Sequence, residues 1–145
     1  MGKILFPTDG SKTAERARKF AVNIAKATNS EIIVLVVVPT PSTLSGFQPA
    51  VAGRFEDELK ERMLEIAKVA RKKILDEDIK ADFKVAVGAP SEEIVKLADK
   101  EKADAIVMGT HGVTGLARVF IGSVADRVVR KAHCPIILVP EKDFS

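Results

Sequence analysis

Apolar positions recur along this chain in two alternating rhythms. Short runs are apolar throughout or at every second residue. Longer stretches between them repeat every three to four residues. Lys3 to Pro7 is a short apolar run, and Ile32 to Val38 is a continuous, largely β-branched one. Runs of this kind suit strands buried on both faces of a parallel sheet. Ala81 to Val87 alternates, with Phe83, Val85 and Val87 on one side, and Asp104 to Met108 and Pro135 to Val139 complete a set of five strands. Between them, Ala14, Ala17, Ala21, Ile24 and Ala25 share one helical face within Ser11 to about Thr28. Phe55, Leu59, Met63, Ile66, Ala70 and Ile74 mark a second helix. Its acids, Glu56 to Glu58, lie early and its bases, Arg71 to Lys73, lie late, as the helix dipole favours. Ile94, Leu97 and Ala98 mark a third helix, opened by Gly88-Ala89-Pro90, and Val124 to Ala132 reads as a fourth.

Strands separated by crossover helices pair in parallel, with right-handed connections. The expected class is therefore α/β, a three-layer domain with helices on both faces of the sheet. The 145 residues fit one such domain, 1–145. Pro39 to Gly53, rich in Pro, Ser, Thr and Gly, reads as its one long flexible loop.

Composition narrows the partners. The net charge of +3 is spread over Lys/Glu neighbours, and no aromatics interleave with the basic residues, which argues against nucleic acid. No apolar run is long enough to span a bilayer, no signal peptide is legible, and a lone Cys134 permits no internal disulfide. The chain reads as cytoplasmic, without a membrane partner. Cys134 itself is open between a small buried residue and a reactive thiol.

The chemistry concentrates in two connections. Gly109-Thr110-His111-Gly112, followed by Gly122-Ser123, joins the fourth strand to the last helix. Glycines let backbone N–H groups approach an anion, and a helix start adds unpaired donors and a positive dipole end. Pro7-Thr8-Asp9-Gly10-Ser11 follows the first strand. In an open parallel sheet, ligands bind beyond the C-terminal strand ends, where strand order reverses. If strands one and four are neighbours, both connections line one crevice. Asp9 then serves ribose hydroxyls or a metal-bound water, or else caps the first helix. Thr8 offers its groups to a base or stabilises the turn. Ser123 holds a terminal phosphate, or caps the last helix in the capping box Ser123-Val124-Ala125-Asp126. Arg118 reaches a γ-phosphate or lies on the surface. Neither His111 nor His133 has a second ligand at metal spacing. G-x-x-x-x-G-K-[ST], G-x-G-x-x-G and G-x-S-x-G are all missing from their required contexts, and no catalytic constellation is evident.

Gly109-x2-Gly112-x9-Gly122-Ser123 resembles the ATP-binding motif of the universal stress protein family, in its ATP-binding branch. The likeness spans almost the whole chain. Lys3 to Ser11 looks like the family's opening strand and loop, Val34 to Val38 its second strand, Gly88-Ala89-Pro90 its third turn and Cys134-Pro135-Ile136 its closing strand. One position departs: many members carry a histidine near Val36. The resemblance implies a five-stranded Rossmann-like sheet of order 3-2-1-4-5 and a homodimer through the C-terminal strand. It implies that Pro7, Thr8, Asp9 and Val37 contact adenosine, that Met108, Gly109 and Gly112 line the ribose and first phosphates, and that Gly122, Ser123 and Val124 hold the outer phosphates. The implied cofactor is ATP, with Mg or Mn left open as its companion and no metal ligands assigned. The expected function is regulation or signalling in a stress response, with ATP as ligand of a dimeric switch acting on an unknown protein partner. A slow ATPase or nucleotide-dependent transferase is one alternative, and a nucleotide-free dimeric interaction module is another.

Overall fold

Five strands pair in parallel in a computed structural model that describes residues 2–40, 49–111 and 121–141. β1 (Lys3–Pro7), β2 (Glu31–Val38), β3 (Ala81–Val87), β4 (Ala105–Gly109) and β5 (Ile136–Val139) lie in the order β3-β2-β1-β4-β5. α1 (Lys12–Thr28), α2 (Pro49–Leu75), α3 (Pro90–Glu101) and α4 (Ser123–Lys131) connect them. The expected three-layer α/β class and strand order are what the molecule has.

The sheet's alternation sorts its side chains between two cores. Ile4, Phe6, Ile32 and Val34 point to the face covered by α1 and α2, where they meet Ala17, Ala21, Ala70 and Ile74. Leu5, Ile33, Leu35, Val37, Ile106 and Met108 point the other way, onto Ile94 and Ala98 of α3 and Ala125 and Val128 of α4. That is why β2 reads as an unbroken apolar run: both faces are covered. Burying each such side chain contributes about 1.5–3 kcal/mol.

α1 begins where Ser11 accepts a hydrogen bond from Ala14 N–H at 3.2 Å. α2 begins at Pro49, six residues before the helix expected from Phe55, so the connection after β2 is shorter than Pro39 to Gly53; residues 41–48 lie outside the described ones. Proline tolerates a first helical position because its missing N–H would be unpaired there. Leu59, Met63, Ile66, Ala67, Ala70 and Ile74 of this helix pack on the sheet. Glu15 ties α1 to α2, accepting from Arg18 at 2.8 Å and from Lys73 at 3.2 Å.

Candidate functional site

The chain steps outward from β1 through β2 to β3, then returns to β4 beside β1 and continues to β5. Strand order therefore reverses between β1 and β4, which pair through Ile4–Ala105 and Leu5–Ile106. The C-terminal ends of these two strands carry the two connections singled out in the sequence, and the fold sets them side by side. The contact is direct: a Cβ added at Gly109 would lie 2.5 Å from Thr13 Cγ2 and 3.1 Å from the Thr13 carbonyl carbon. The end of β4 thus lies against the first turn of α1.

The β1 loop is tied down residue by residue. Thr8 N–H donates to Leu35 O at 2.9 Å, which fixes the loop to β2. Gly10 N–H donates to Thr8 Oγ1 at 3.2 Å, and Ser11 N–H donates to Asp9 Oδ1 at 3.0 Å. Asp9 therefore does not cap α1. Ser11 does, and Asp9 shapes the turn that delivers it. Asp9 and Thr8 are half-buried at the sheet's edge, above the buried Pro7.

Two of the residues expected at adenosine, Pro7 and Val37, and one expected at the ribose and first phosphates, Met108, share one face. Val37, Pro7 and Met108 stand near the C-terminal ends of β2, β1 and β4, three adjacent strands. Val37 and Met108 belong to the core on the α3–α4 side, and Pro7 follows Leu5 of that core by two positions. α4 starts on the same side. Gly109 alternates to the opposite face, where Thr13 meets it.

The start of α4 departs from the capping box. Gly122, not Ser123, is the N-cap: its carbonyl accepts from Asp126 N–H at 2.9 Å, and no side chain caps the helix. The cause is non-local. Gly122 N–H reaches back to Thr110 O at 2.7 Å, closing the connection at its neck, and the helix starts one residue earlier than expected. A Cβ on Gly122 would lie 3.0 Å from that same Thr110 oxygen. Ser123 and Val124 become the first two helical residues, and their N–H groups, with that of Ala125, have no intrahelical acceptor. Gly112 and Arg118 lie outside the described residues.

Thr110 also joins this neck to the sheet. Its N–H donates to Val139 O at 3.1 Å, and its hydroxyl lies 2.8 Å from His111 Nδ1. His111 Nε2 is buried and has no partner among the described residues, a feature the sequence did not signal. Among the described residues no three His, Cys, Asp or Glu side chains gather as a metal site. His133 pairs instead with Asp99, 3.1 Å away. Cys134 is half-buried, and that burial, with Asp99 and Asp104 nearby, pushes its thiol up, away from the reactive thiolate. No helix among the described residues is long and apolar enough to cross a membrane.

A parallel sheet of this order, reversing between β1 and β4 and covered by helices on both faces, defines a Rossmann-like α/β protein. The chain matches the universal stress protein family over residues 1–140, and it belongs to that family. It is 42% identical over 144 residues to universal stress protein MJ0531 of Methanocaldococcus jannaschii, covering 97% of this chain and 84% of the relative. The solved structure of MJ0577, from the same organism, superposes with a TM-score of 0.78 at 35% identity, covering 98% of this chain and 97% of that one. A universal stress protein from Archaeoglobus fulgidus, solved in complex with dAMP, gives 0.70 at 30% identity, with 96% and 97% covered.

Proposed function

We propose that this protein binds ATP in the crevice between the ends of β1 and β4 and acts as a nucleotide-responsive dimeric regulator. The observation that carries the reading is the uncapped start of α4. Ser123, Val124 and Ala125 leave their N–H groups without intrahelical acceptors at the positive end of the helix dipole, near the point where strand order reverses between β1 and β4. The outer phosphates occupy that helix start. The adenosine lies toward Pro7 and Val37, with Met108, Gly109 and Gly112 along the ribose and Arg118 available to the terminal phosphate. Thr8 and Asp9 supply the polar contacts of the β1 loop, and Mg or Mn, when bound, neutralises phosphate charge with Asp9 as the nearby carboxylate of that loop. The dAMP complex of the Archaeoglobus fulgidus relative supports the adenine nucleotide.

The dimer reading rests on the two sheet edges. β3 carries Asp82 and Lys84, charges that discourage edge pairing. β5 reads Ile136-Ile137-Leu138-Val139, an edge with no charge to deter a second copy. Exposed Phe20 stands on the same face of α1 as Arg16, whose guanidinium reaches Pro140 O at 2.9 Å, so a further apolar side chain lies beside that edge.

Titration of the purified chain with ATP, AMP and GTP tests the nucleotide reading. ATP and AMP bind and GTP binds more weakly. Gly122→Val drives side-chain atoms into the Thr110 carbonyl and weakens ATP binding by about tenfold or more, with the melting temperature read alongside. Absence of adenine-nucleotide binding at millimolar concentration would falsify the proposal.

A further inference from the structure

His111 Nε2 is the one buried side-chain polar atom without a partner among the described residues. Such atoms are scarce in folded proteins, because each forfeits its hydration without replacement. The ring is not loosely held. Nδ1 lies 2.8 Å from Thr110 Oγ1, and the Thr110 backbone is fixed at both ends, to Val139 O and to Gly122 N–H. His111 also sits against the start of α4, since a Cβ on Gly122 would lie 3.4 Å from His111 Cα. The residue that carries the unpaired ring nitrogen therefore packs by its backbone against the N-cap of α4, one residue before the helix's open N–H groups.

We infer that a phosphate oxygen of the bound nucleotide is the missing partner of His111 Nε2, an inference that rests on the nucleotide reading above. Thr110 is the positioning residue. With its hydroxyl donating to Nδ1, the proton of the neutral ring resides on Nε2, and the ring presents an N–H donor to the anion. The opposite tautomer would present a bare acceptor and suit a sugar hydroxyl instead, so the phosphate and the ribose are separable by experiment.

Two measurements test this. In protein labelled with 15N at histidine, saturating ATP moves the His111 Nε2 resonance in the direction of a donated hydrogen bond, and adenosine does not. His111→Ala weakens ATP binding by about tenfold and adenosine binding by less than about twofold, and His111→Gln, which keeps an N–H donor at similar reach, recovers part of the loss. An Nε2 resonance indifferent to saturating ATP, or equal losses for ATP and adenosine, overturns the inference and leaves nucleotide binding standing. If the wild-type chain binds neither ligand, the nucleotide reading fails and this inference fails with it. The resonance is read on the wild-type protein, so it decides the matter even if a variant does not fold.

Discussion

Gly109 and Gly122 belong to one sequence motif, yet their surroundings differ. The space a Cβ would need at Gly109 is filled by Thr13, on the α1 side of the sheet, away from the face shared by Val37 and Met108. Gly109 is therefore glycine for packing. Gly109→Ala should destabilise the fold by about 1–3 kcal/mol, the usual cost of overpacking. Thr13→Ala in the same chain removes the clashing methyl, and a double-mutant cycle in urea should return a favourable coupling between the two changes. The double variant should still bind ATP nearly as the wild type does, because the added methyl faces away from the crevice. Gly109 then meets the ribose through its backbone alone; if ATP binding is lost while stability is restored, the ligand also uses the side of Gly109 that faces Thr13. Gly122 contrasts with it, since a methyl there presses on Thr110 O at the neck of the β4–α4 connection.

Elements were legible in the sequence to the extent that they are buried. β2 shows as an unbroken run because both its faces are covered, and α1 shows as an alanine stripe because that stripe meets Ile4 and Phe6. The start of α2 at Pro49 was not legible, since Pro, Ser, Thr and Gly around it are residues common in loops and the apolar repeat begins only at Phe55. The start of α4 was misread for a different reason. The capping box is a local pattern, and a hydrogen bond from Gly122 N–H to Thr110 O, twelve positions away along the chain, overrode it. The neighbourhood of the β1 and β4 loops followed from the family resemblance, and the unpaired His111 nitrogen had no sequence signal at all. One element-scale link is testable through pH. Arg18, by its hydrogen bond and then its charge, and Lys73 after it hold the Glu15 carboxyl below the ordinary value of 4.5, against the opposing effect of burial. A carboxyl lowered on folding stabilises the native state above its unfolded pKa, and that contribution is lost as pH falls through the lower folded value. Glu15→Gln should thus lower the urea midpoint near neutral pH and converge on the wild type in acid, once pH has fallen below the lowered folded value. A deficit that is constant across this range would mean that the Glu15 charge does not link α1 to α2.

At the scale of the whole molecule, the crevice and the β5 edge share a backbone. Thr110 N–H holds Val139, the last residue of β5, while Thr110 O holds the N-cap of α4. Arg16, on the first turns of α1, grips Pro140 just beyond. A nucleotide that presses on the neck at Thr110 and Gly122 therefore acts on the same hydrogen-bonded unit that positions the β5 edge. Binding linkage then requires reciprocity: if ATP tightens self-association by some factor, self-association tightens ATP by the same factor. Ile137→Lys places a charge on the otherwise uncharged edge, where Ile137 also packs partly against the core, and should yield a monomer by sedimentation equilibrium, with its cost to the fold read separately as the melting temperature. For the wild type, saturating ATP should shift the dimer dissociation constant by about fivefold or more, the low end of usual coupling. The monomeric variant should then bind ATP more weakly by a matching factor. A dimer constant unchanged by ATP would leave both the dimer and the nucleotide site in place but would remove the switch, and the chain would be a nucleotide-binding dimer whose two features are independent.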